Sequence, residues 1–268
     1  MFGSRKITVS GSASILGFVE DGGNDYWRVW DRFLTLDGKK AYQIGNICGT
    51  CHFWFERLEG AGKTLDADAV VNALNNGLES LDAVPGELCH ILPDGEYTVM
   101  LSRVSPLFVM PGDKNDYFAH EDVASWGVRG RLDGLPHYPR TAYYRTRTEK
   151  LGPEVALYEF LVPMMPPLHL GEAKVDAYRN DIRNGAMPTA VAISILDVKE
   201  AMLDAEGENV MSHWCLAHYL LDGHHKAHAA ALEGAPLSLL AFLATGKGIS
   251  NDDEQRKLLE LLAGKPTL

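Results

Sequence analysis

The chain has 268 residues, 46% hydrophobic and 23% charged, so it is long enough and apolar enough to bury a substantial core. Twenty-five Lys and Arg against 36 Asp and Glu leave a formal net charge of −11, which argues against sequence-independent nucleic-acid binding through a basic face. No apolar run has the length of a membrane span and the N-terminus does not read as a signal peptide, so the expected location is cytoplasmic. There, Cys48, Cys51, Cys89 and Cys215 are expected as thiols or metal ligands rather than disulfides.

Residues 5–20 and 26–44 alternate apolar and polar side chains in short runs and predict strands. The stretch AYQIGNICGTCHFWFERLEG then presents Cys48-x-x-Cys51-His52. Haem attachment normally follows export, and a redox dithiol opens a helix, whereas Phe53 and Phe55 alternate as in a strand. A zinc knuckle is the favoured chemistry, with Cys48, Cys51, Cys89 and either His52 or His90 as a tetrahedral set. The competing reading is reduced, unliganded thiols in a small β domain.

TLDADAVVNALNNGLESL (64–81) predicts a helix, with Asp66 as cap and Val70, Leu74 and Leu78 spaced by four. Strand-like runs return at 96–110. Residues 111–153, rich in Gly, Pro, Arg and Tyr, are expected as long loops joining two halves. Arg140, Arg145 and Arg147 in this stretch either pair with acidic residues or supply a second phosphate or carboxylate contact; Arg145 is the nominated ligand residue.

From 155 the pattern is cleaner. VALYEFLVPM predicts a strand, and AKVDAYRNDIRNG a helix with Val175, Tyr178 and Ile182 on one face, stopped at Gly185. PTAVAISILDV is too apolar for a one-sided sheet and predicts a buried strand. HWCLAHYLL and PLSLLAFLA predict further strands, with GHHKAHAAALEG as a short helix between them and NDDEQRKLLELLAG as a final helix capped by Asn251.

The junction Asp222-Gly223-His224-His225-Lys226 passes from strand directly into helix. Free backbone N–H groups and the helix dipole make such a junction an anion site. Here Gly223 would allow close approach of a phosphate, and Lys226 with a protonated His224 or His225 would supply charge. A zinc site at His224 and His228, spaced i, i+4, competes, but the Glu of a metalloprotease helix is missing. So does a plain turn with surface histidines.

The order of helix, strand, strand, D-G-H-H-K, Ala-rich helix and strand over residues 155–245 resembles the ParB/sulfiredoxin superfamily, whose members carry G-x-R-R or D-G-H-H-R at this point. The nearest variant is that of its free serine kinases. The resemblance implies nucleotide phosphates on Gly223, His224, His225 and Lys226. It also implies Glu172 as base for a substrate hydroxyl. Lys226 stands where Arg is usual, which keeps the charge but loses the bidentate fork. LHLGE departs from the family's local motif, and KEAMLDAEGENVMSH reads as an insertion able to cover the site.

The resulting expectation is an α+β protein. A β-rich region with a zinc knuckle spans 1–150, and a ParB/sulfiredoxin-like α/β domain spans 151–268. ATP, ADP or CTP with Mg²⁺ would be bound for phosphoryl transfer to a small-molecule hydroxyl or for hydrolysis, with Glu172, Asp222 and Lys226 as catalytic residues; nucleic acid is disfavoured as a partner, no membrane is involved, and a homodimer is the candidate assembly. A nucleotide-responsive regulator and a ParB-like DNA-binding or nuclease module are the alternatives.

Overall fold

The computed structural model describes residues 1–20, 32–44, 56–62, 74, 78, 80–84, 86–110, 113–116, 118–119, 142–151, 155–165, 167–203 and 210–264. The architecture is α+β. Its centre is an eight-stranded sheet in the order β1-β6-β12-β10-β11-β9-β8-β7. The strands are β1 (Gly3–Val9), β6 (Gly95–Val104), β7 (Leu107–Val109), β8 (Tyr143–Lys150), β9 (Val155–Pro163), β10 (Thr189–Leu203), β11 (Val210–Asp222) and β12 (Leu237–Ala244). A second sheet, in the order β2-β3-β4-β5, comprises β2 (Leu16–Glu20), β3 (Arg32–Leu36), β4 (Lys39–Gln43) and β5 (Glu56–Arg57).

Period-two alternation gives the central strands two buried faces. Val191, Ile193 and Ile195 of β10 and Cys215, Ala217 and Tyr219 of β11 pack with Leu34, Leu36 and Tyr42 of the small sheet. Ala190, Ala192, Leu216 and Leu220 pack instead against helices α1 (Glu172–Arg183), α2 (His224–Glu233) and α3 (Asp252–Leu262). The expected division at residue 150 falls between β8 and β9, which are hydrogen-bonded neighbours, and strands from both sides of it share the central sheet.

The connections fix where a site can form. β9 and β11 are parallel neighbours, with Pro163 beside Leu220. α1 follows β9 and α2 follows β11, so both helices begin at the same edge of the sheet. Arg179 and Arg183 of α1 both pair with Glu233 at the far end of α2, so the two helices run parallel, start beside start and end beside end.

Several sequence expectations are met. Val175 and Ile182 are the buried face of α1, and Gly185 takes φ +93° after its last turn. The Ala186 N–H returns to the Asp181 carbonyl at 3.0 Å and that of Gly185 to Ile182 at 2.9 Å, a Schellman closure. Asn251 caps α3 in a full capping box with Glu254.

Others are corrected. Tyr143–Lys150 is strand, not loop: its outer half is exposed, which hides the alternation. The expected insertion lengthens β10 and β11 into one antiparallel ladder, with Lys199 opposite His213 and Leu203 opposite Val210; only 204–209 lie outside the described residues. The helix expected over 64–81 also lies outside them, apart from the buried Leu74 and Leu78 and residues 80–81.

Candidate functional site

The junction of β11 and α2 is built as a strand, a single left-handed residue and a helix. Gly223 has φ +90°, a region that side chains strain to occupy. A Cβ there would lie 2.7 Å from the Ala190 Cβ and 2.8 Å from its Cα. The contact of the turn with β10 and the left-handed backbone are thus enough to require a glycine here.

Lys226 does not reach outward. Its ammonium is buried, 3.0 Å from the Thr189 carbonyl and 3.3 Å from Asp222 Oδ2, and 5.9 Å from the centre of the Tyr178 ring. Desolvation lowers its pKa against the opposing pull of Asp222, with Lys174 adding to the lowering. Asp222 Oδ1 receives no hydrogen bond among the described residues. The lysine thus anchors the carboxylate from beneath.

The histidines are also placed differently from expectation. His224 Nε2 accepts the Met164 N–H at 3.0 Å, and burial pushes the imidazole down to about 4, so it is neutral. His225 Nε2 accepts the Gly171 N–H at 3.3 Å. Burial, Lys174 and His228 lower its pKa, while Asp222 raises it. Neither ring carries the positive charge expected of it at neutral pH. His228 turns to β8, with Nδ1 3.1 Å from the Tyr144 hydroxyl and its ring edge-on to Phe108, and so does not share a ligand with His224.

Glu172 is the first residue of α1 and is exposed. The His225–Gly171 bond sets it beside the start of α2. Among the described residues neither α1 nor α2 has a side-chain cap, and the His225–Gly171 bond joins their starts. Lys174, a cation in the first turn of α1, acts on both His225 and Lys226. It stands where the helix dipole disfavours positive charge. Nothing in AKVDAYR marks it as a site residue in the sequence.

Arg145 is not brought to this site. It lies on the opposite face of the sheet, with Nε 3.0 Å from Asp116 Oδ2 and Nη2 2.9 Å from Oδ1, and its guanidinium 4.1 Å from the centre of the Phe160 ring. It is a buried ion pair over aromatic rings, and Arg147 likewise pairs with Glu149 at 3.0 Å, so these two arginines are partners for acids; Arg140 lies outside the described residues. Cys48 and Cys51 lie outside the described residues, as does the side chain of Cys89; His90 is exposed. Among the described residues, no group of three or more His, Cys, Asp or Glu side chains could hold a metal ion.

A second polar cluster went unseen in the sequence. Ser194 Oγ lies 2.7 Å from His218 Nδ1, and His218 Nε2 lies 3.2 Å from Glu159 Oε1. Thr146 donates to Glu159 Oε2 at 2.9 Å. The order resembles a nucleophile–base–acid relay, but Ser194, His218 and Glu159 are all buried, and the cluster cross-links β10, β11 and β9. Burial opposes ionisation of Glu159, yet His218, Arg147 and Thr146 together hold its carboxyl below the usual range.

No helix among the described residues is long and apolar enough to cross a membrane. In comparisons with known proteins, no family model, no curated protein and no solved structure matches the chain.

Proposed function

We propose that the chain binds a nucleotide by its phosphates at the start of α2, and uses it for phosphoryl transfer to a small-molecule hydroxyl or for hydrolysis. The observation that supports this most is the pair of parallel helices whose uncapped N-termini meet beside Lys174. Their aligned dipoles bring two positive ends together, an arrangement that an anion relieves. The resemblance of Asp222–Lys226 to the D-G-H-H-R motif points the same way.

ATP, ADP or CTP with Mg²⁺ is the ligand class in question. The site's chemistry suits them: backbone N–H groups and Lys174 for phosphate oxygens, and Asp222 Oδ1 for a hydrated magnesium ion. The ion would neutralise charge on the phosphates, while Glu172 would orient or deprotonate the acceptor. A thermal-shift series with each nucleotide, with and without Mg²⁺, tests binding, and turnover lost in Glu172→Ala tests the reaction.

A nucleotide-responsive regulator without turnover is a second reading, favoured by the sunken position of Lys226, which withholds that charge from the ligand. Binding without turnover would select it. A structural zinc at Cys48, Cys51, Cys89 and His90 is a separate proposal, decided by metal analysis of untagged protein.

A further inference from the structure

His224 and His225 hold the two ends of one segment. Met164 follows β9 directly and Gly171 precedes α1, so residues 164–171 are the whole connection between them. The first of these amides bonds to His224 and the last to His225, at 3.0 and 3.3 Å. Pro166 and Pro167 contribute no N–H, and within the segment the Leu170 N–H returns to the Pro167 carbonyl at 3.1 Å.

A backbone N–H can only donate, so each Nε2 must be an acceptor and each ring proton must sit on Nδ1. We propose that His224 and His225 are positioning residues that staple the segment 164–171 to the first turn of α2, and that protonating His225 releases the Gly171 end. An imidazolium carries N–H on both nitrogens and accepts nothing, so the bond to Gly171 is lost when His225 takes one proton. Glu172 follows Gly171 directly, so the His225 bond sets the distance between the candidate base and α2.

His225 is half-buried and faces Lys174 from α1, Asp222 from β11 and His228 from its own helix. His169 and Glu172, either side of Gly171, are exposed. The Gly171 end is therefore the one released on acidification.

The importance of the staple for phosphoryl chemistry rests on the function proposed above, but its test needs no ligand, so the two fail separately. Amide exchange is followed by NMR on the full chain, corrected for intrinsic rates. Protection of Gly171 falls roughly tenfold as His225 titrates, the loss of about one hydrogen bond. In His225→Gln, whose amide oxygen accepts at every pH, that protection no longer depends on pH. In His225→Ala it is absent throughout. Wild-type imidazole ¹⁵N shifts place both protons on Nδ1, a readout that survives if a variant fails to fold. Protection of Gly171 that ignores pH in the wild type, failure of Gln to restore it, or protons on Nε2 would overturn the proposal.

Discussion

The ammonium of Lys226 lies 3.3 Å from the carboxylate of Asp222, the last residue of β11 and four residues earlier in the chain. The motif's lysine and aspartate are thus a unit, with the Thr189 carbonyl as the third member. Removing the cation leaves a partly buried carboxylate unpaired. Lys226→Met is expected to cost about 3 kcal/mol of stability, read from urea midpoints. Asp222→Asn, which keeps an acceptor for the lysine, should cost less.

Gly223→Ala meets two obstacles, the left-handed backbone and Ala190. A loss of about 2 kcal/mol or more is expected in thermal or urea unfolding. Pairing it with Ala190→Gly should recover the part due to the Ala190 Cβ, but neither the contact with the residue 190 Cα nor the backbone part. Full recovery would show that the backbone conformation carries no penalty.

Arg32 ties the small sheet to the central one. Its Nη1 and Nη2 lie 3.0 and 2.7 Å from the two oxygens of Asp197, which also accepts the Ile249 N–H at 2.9 Å. Both side chains are buried, so breaking the pair by Asp197→Ala should cost about 3–5 kcal/mol. Replacing both partners with apolar residues should cost less than the two single changes together, as a double-mutant cycle would measure.

Acid should destabilise the fold in two steps. His224 is neutral when folded down to about 4 but takes a proton near 6.5 when unfolded, so its contribution is complete above 6.5 and is lost as the pH falls toward 4. Glu159 is held below its ordinary 4.5, so its contribution is present above 4.5 and disappears as the pH drops through the lowered folded value. Urea midpoints against pH should show His224→Gln flattening the first step only.

What could be read in advance follows from the range of the interactions. α1 and α3 are specified by local spacing and by Gly185 and Asn251, so they were legible. The interleaving of β12, β10, β11 and β9 depends on pairings between distant segments, which no local pattern records. Ser194, His218 and Glu159 meet only because the ladder sets Ser194 opposite His218 and Glu159 beside Leu216. At the candidate site the motif was visible but its orientations were not. Lys226 points inward because Asp222 and the Thr189 carbonyl wait there, and that leaves Lys174 from a neighbouring helix as the exposed cation.

The central claim is that phosphates bind where α1 and α2 begin. Isothermal titration of the full chain with ATP, ADP and CTP in the presence of Mg²⁺ tests it most directly, with Lys174→Ala as the paired variant. Saturable binding by at least one nucleotide, weakened roughly tenfold when the Lys174 charge is removed, is the predicted result. No heat from any nucleotide, or binding equally tight in Lys174→Ala, would contradict it.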